Sequence, residues 1–142
     1  ERDQLLDEDR LLATDRSIQT FVRVGQERFR RKLLRILKYC PVTGIDDDRL
    51  LLASHIKPWA VFTNEERMDI KNGFILSPTV DKLFDKGLIT FEDDKRILLS
   101  PSLSRRTIER LGIEHGKMYR DLPVKSREGF LAFHRENIFV QK

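Results

Sequence analysis

Apolar residues change their spacing several times along the chain, and the changes mark out its elements. From Gln26 to Tyr39, Phe29, Leu33, Leu34, Ile36 and Leu37 recur mostly at helical spacing, with Arg and Lys on the other face. This predicts an amphipathic helix. Cys40-Pro41-Val42-Thr43-Gly44 ends it, because proline disfavours helix just before itself and glycine favours a turn. Upstream, residues 1–20 alternate acids and bases around Leu5, Leu6, Leu11 and Leu12. That stretch reads as a short helix or a frayed tail, with Asp15 or Ser17 as a cap for the amphipathic helix.

Asp46-Asp47-Asp48 reads as a solvent turn, and the apolar run from Leu50 to Ile56 as a buried strand. Lys57-Pro58-Trp59 breaks it, and a polar loop extends to Lys71. Asn72-Gly73 is a turn signal before a second short strand, Phe74-Ile75-Leu76. Ser77-Pro78 opens a helix, with serine at the N-cap and proline in the first turn, and Gly87 closes it. Residues 88–91 and 96–99 form a hairpin around Glu92-Asp93-Asp94-Lys95. Helices are expected near 105–111 and from about Ser126 to Asn137.

A chain of 142 residues with 39% apolar residues suits one globular domain. Its net charge is only +4, but the distribution is uneven. Between Phe21 and Cys40 seven basic residues face Glu27 alone, a block of +6. Such a block concentrates a polyanion, nucleic acid being the usual one, or else forms a solvated helix face. The single cysteine, Cys40, rules out an internal disulfide and any cysteine-rich zinc site, and suits a reducing cytoplasm. No apolar run reaches the length of a membrane span, so no membrane partner is expected. The chain begins with Glu1 rather than Met. The expectation is a fragment preceded by an N-terminal domain, with residues 1–22 ending a linker and residues 23–142 forming the functional domain.

The order strand, loop, Asn-Gly, strand, helix places three chemically complementary residues within reach of one cleft. His55 ends the first strand, Asn72 stands at the turn into the second, and Asp81 lies on the helix. A neutral imidazole takes a proton from water near neutral pH. A carboxylate is an oxygen ligand for Mg²⁺ or Mn²⁺, and an amide braces a loop by hydrogen bonding in both directions. Taken alone, the trio is compatible with metal-assisted phosphodiester hydrolysis, but such residues also occur in ordinary cores and loops.

The run from Ala53 to Trp59, then Asp69 to Leu76, then Asp81 to Ile89, resembles the HNH endonucleases, in particular a bacterial restriction-endonuclease branch. The likeness begins near Val24, takes in Cys40 to Gly44, and extends to Phe130-Leu131-Ala132-Phe133-His134-Arg135. It implies an α+β fold built on a ββα-metal finger, with flanking helices and an additional β-hairpin, that cuts DNA with one divalent ion. His55 then matches the general base, Asn72 the residue bracing the hairpin loop, and Asp81 the metal-binding helix position. Ser54 stands where many relatives carry a metal-binding Asp, so Asp85, one turn beyond Asp81, is the nearest additional ligand. No structural zinc is expected with one cysteine.

Duplex DNA is the implied partner, with Arg28, Arg31, Lys32, Arg35, Lys38, Lys57 and Arg67 as candidates for the phosphate backbone. A homodimer would allow paired nicks. His115 and His134 are expected to be structural or surface residues. Two alternatives remain open: a DNA-binding module whose metal site has decayed, and an RNA-directed or regulated nuclease of a defence or toxin system. Restriction or phage defence is implied by the resemblance alone.

Overall fold

The computed structural model describes residues 2–58 and 64–142, with side chains from residue 15 onward except those of residues 64 and 67. The first helix, α1 (Arg2–Ile36), is continuous. Neither Asp15 nor Ser17 caps a new helix, so the stretch read as a short helix or frayed tail is the beginning of α1. The boundary expected near residue 22 is not marked by a break. Phe29 and Leu33, one turn apart, enter the core while Arg28, Arg31, Lys32 and Arg35 stay exposed. That is the amphipathic division the spacing predicted.

Strand β1 (Leu52–His55) pairs antiparallel with β2 (Gly73–Leu76), and the register sets His55 opposite Gly73. The run from Leu50 is not all strand. Asp48–Leu50 form a 3-10 turn capped by the Asp47 carboxylate, which accepts from Arg49 N, and Leu52 is exposed. Between the strands, the loop expected up to Lys71 contains a short helix, α2 (Asn64–Met68), and a 3-10 turn, Ile70–Asn72. Trp59 lies outside the described residues.

Helix α3 (Pro78–Asp85) comes next, with Ser77 at its N-cap and Pro78 in the first turn. Ser77 caps by backbone geometry only. Its hydroxyl sits beside Cys40 Sγ at 3.6 Å and accepts from Thr43 Oγ1 at 3.2 Å, which ties the Cys40–Gly44 turn to the start of α3. Gly87 ends the helix with φ +68°, and a Cβ there would lie 2.0 Å from the Ile138 carbonyl oxygen. The glycine therefore serves both the left-handed turn and the close passage of the C-terminal segment, whose Val140 N donates to Gly87 O.

A second hairpin, β3 (Ile89–Phe91) with β4 (Ile97–Leu99), then α4 (Arg105–Leu111) and α5 (Glu128–Asn137) complete the chain. The result is an α+β fold. Phe74, Phe84 and Phe91 meet edge to face or tilted, with centroids 5.6–6.0 Å apart, and join the two hairpins through α3.

His134 on α5 locks this joint. Its ring stacks on Phe84 at 3.9 Å, with Nδ1 2.7 Å from the Thr90 hydroxyl and Nε2 2.8 Å from the Phe84 carbonyl. Nε2 carries the proton that the Phe84 carbonyl accepts, and in the neutral ring Thr90 donates to Nδ1. Burial pushes the imidazole down to about 4. Because the folded value lies below the unfolded one, its contribution is complete above about pH 6.5 and is lost as pH falls toward 4. The loss is at most about 3 kcal/mol. Denaturant unfolding at pH 7 and pH 4 is expected to show this fall, and His134→Gln to flatten it. An equal slope in both proteins would contradict the assignment.

Candidate active site

Side chains alternate across a strand, so the neighbours Ser54 and His55 leave β1 on opposite faces. Ser54 is buried and its Oγ donates to the Asp81 carboxylate on α3. His55 turns toward α1, where its ring lies flat on Phe29, centroids 4.2 Å apart and planes within 6°. The hairpin thus carries an oxygen pair on its α3 side and an imidazole on its α1 side. A shallow groove of about 320 Å³ runs beside the imidazole, bordered by Arg23, Arg30, Phe29 and Ala53.

Asn72 is fully buried and clamps the chain just beyond His55. Its Oδ1 accepts from Lys57 N at 2.8 Å, and its Nδ2 donates to the carbonyls of Lys57 and Glu66 at 3.3 and 3.4 Å. Ile56 N donates to the Asn72 carbonyl. An unpaired amide in this position would be costly, so the residue holds the loop rather than reaching into a cleft.

Gly73 corrects a sequence reading. Its φ of −148° is ordinary strand geometry, so Asn72-Gly73 is not a left-handed hairpin turn. The glycine is needed for space: a Cβ would stand 2.6 Å from the Phe29 ring and 2.8 Å from Leu33. Glycine therefore lets α1 close on the hairpin and puts Phe29 beneath His55. Gly73→Ala is expected to destabilise the fold by about 1–3 kcal/mol, as overpacked cores do, and thermal unfolding measures it. An unchanged midpoint would show that Phe29 moves aside at no cost.

Arg127, absent from the sequence reading, braces the same turn. It is buried, its Nε donates to the Gly73 carbonyl at 3.0 Å and its NH2 to Ile70 at 3.4 Å. Burial lowers its pKa, yet a guanidinium remains charged in proteins. No signal in the local sequence marks this residue, because its partners are backbone carbonyls far away along the chain.

Asp81 is half-buried in the first turn of α3, and its pKa is raised, chiefly by desolvation and further by Asp85, against the Ser54 hydrogen bond. Asp85 is exposed one turn further on. Among the described residues no group of three or more His, Cys, Asp or Glu is gathered for a metal. The Asp81 carboxylate and Ser54 hydroxyl nevertheless fit an ion of the Mg²⁺ type. Such an ion binds through one or two carboxylates, retains waters and takes phosphate oxygens from its substrate. Cys40 is buried and offers nothing to this face.

The candidate DNA-contacting residues separate into groups. Arg28, Arg31, Lys32, Arg35 and Lys38 are exposed along α1 and just beyond it. Lys57 is engaged internally: its Nζ lies 3.1 Å from Glu66 and 5.0 Å above the Phe133 ring. The Arg67 side chain lies outside the described residues. Arg30 is also an anchor, donating to the carbonyls of Leu51 and Asp48 at the entrance to β1.

Residues 40–92 match the family described as HNH endonuclease. The matched stretch spans β1, β2, α3 and β3, and it contains Ser54, His55, Asn72 and Asp81. That family consists of nucleases, which act on nucleic acids and generally use a divalent metal. No curated protein matches the chain. Among the described residues no helix is long and apolar enough to cross a membrane.

Proposed function

We propose that this chain is a metal-dependent endonuclease that hydrolyses DNA phosphodiester bonds, with β1, β2 and α3 acting as a ββα-metal finger. The observation that carries the reading is the placement of Ser54 and His55 as consecutive residues of a strand that pairs, among the described residues, with β2 alone. A phosphate along the other edge of β1 would be flanked by the Asp81 and Ser54 oxygens on one side and by the His55 imidazole on the other.

Asp81 and Ser54 would hold a Mg²⁺ or Mn²⁺ ion, which stabilises charge developing on the phosphate and the leaving oxygen. His55 takes the proton from the attacking water, its ring oriented by Phe29. Asn72 keeps the following loop in register. Arg23, Arg31 and Lys38 hold the duplex by its backbone and so position it without reading sequence.

Incubation of the full chain with labelled duplex DNA and duplex RNA, each with Mg²⁺, Mn²⁺ or a chelator, tests this. Metal-dependent cutting of DNA in preference to RNA is expected. Tight DNA binding without cutting under either ion would favour a binding module, a reading to which the single carboxylate facing Ser54 lends some support. Preferential RNA cutting would replace the substrate. For the basic helix, Arg31→Ala with Lys38→Ala should lower the log–log salt slope of DNA binding by about two. An unchanged slope would remove these two residues from the interface.

A further inference from the structure

Helix α1 continues far upstream of its buried contacts with the core. Its 35 residues span about 52 Å, yet among the described residues the first one buried in the core is Phe29. Apolar positions continue upstream: Ile18, Phe21 and Val24 are 55%, 68% and 48% exposed. Ile18, Phe21, Gly25, Arg28, Lys32 and Arg35 fall in one alternating four- and three-residue register, which Asp7, Leu11 and Thr14 continue toward the N-terminus. That is the residue spacing of a two-helix coiled-coil seam, apolar at Leu11, Ile18 and Phe21 and charged toward both ends. Its apolar centre lies close to Gln19, the midpoint of α1.

Charge is divided about the same midpoint. Residues 2–16 hold five acids and three bases, whereas residues 22–36 hold six bases and one acid. A parallel partner would set like halves side by side. An antiparallel one sets the acidic half of each helix along the basic half of the other. We propose that α1 is a dimerisation helix that pairs antiparallel, about a two-fold axis near Gln19, with α1 of a second copy of this chain. Ile18 then meets the partner's Phe21, and Asp7 falls level with the partner's Lys32. The arrangement is self-complementary, as a two-fold interface must be. Arg28, Lys32 and Arg35 are exposed, so the domain leaves this side of the helix accessible.

The test is sedimentation equilibrium of the full chain at low salt, with far-UV circular dichroism as the control for folding. Wild type is expected at twice the chain mass, and Ile18→Asp with Phe21→Asp at the monomer mass with its helix retained. Asp3→Lys with Asp7→Lys should weaken association about tenfold, and adding Lys32→Glu with Arg35→Glu in the same chain should restore it. Cys40 is buried, so introduced thiols report orientation: an equal mixture of I18C and F21C should oxidise mainly to the mixed disulfide. A monomeric wild type, dimers indifferent to charge reversal, or same-residue disulfides in excess would each overturn the proposal. None of these readouts depends on nuclease activity.

Discussion

Replacing His55 by alanine is expected to slow metal-dependent DNA cutting by about two to four orders of magnitude, the range over which a positioned general base acts. DNA affinity should stay within about twofold, because the exposed cations of α1 are untouched. The fold should survive as well, since the ring is half-exposed and packs face-on against Phe29 rather than filling an enclosed core. His55→Gln keeps much of the stacking surface and removes the base, so it should be as slow as alanine. If glutamine retained most of the rate, the ring would be a spacer on Phe29 and not a proton acceptor. Single-turnover cutting of a labelled duplex, with filter binding on the same samples, separates these outcomes.

Asp81→Asn should produce a comparable loss by another route. Asparagine keeps an oxygen to accept from Ser54 but lacks the charge that draws a hard cation. Cutting should fall by about two orders of magnitude or more, the scale on which removal of electrostatic stabilisation acts, with partial recovery at high Mn²⁺. Folding stability should not fall, because a half-buried carboxylate beside Asp85 is replaced by a neutral group of the same shape. Active-site polar groups are often retained at such a cost. Loss of cutting together with a collapse of the thermal midpoint would instead make Asp81 a structural residue. Titration calorimetry with Mg²⁺ reports the ion directly, and equal heats in both proteins would also count against its role.

The periodic elements were legible in the sequence for plain physical reasons. Phe29 and Leu33 announced a helix face, and the Pro and Gly signals at Pro41, Pro78 and Gly87 set ends that the structure keeps within a few residues. His55, Asn72 and Asp81 could be assigned to the end of a strand, a turn and a helix, and the structure puts them there. What the sequence did not disclose is how faces are divided. Strand alternation requires Ser54 and His55 to part, but only the packed structure shows that Asp81 meets the first and Phe29 the second. Gly73 looked like turn chemistry because Asn-Gly is a turn signal; its need for space arises from α1, far upstream in the chain. Arg127 carries no local signature at all. The upstream half of α1 was obscured because its charges alternate in sign and blur the helical period around Leu5, Leu6, Leu11 and Leu12.

The division of faces sets the geometry of the proposed chemistry. A base and an ion-binding carboxylate on one face would compete for the same water and phosphate oxygen. On either side of a strand edge, each would face a different oxygen of one phosphate. Asn72, Arg127 and Gly73 all act on that edge: the first fixes the exit of β1, the second the entry of β2, and the third the helix beneath. Their buried contacts leave His55 little freedom apart from its own side-chain rotation, the preorganisation that positioned catalysis requires.

Supercoiled plasmid incubated with wild type and with His55→Ala side by side, in Mg²⁺, in Mn²⁺ and in chelator, decides whether this chain is a nuclease with an imidazole base. Nicked circles are expected only with wild type and metal, and intact plasmid bound by the variant. Equal cutting by both proteins, or wild type that holds the plasmid and never cuts it, would contradict that reading.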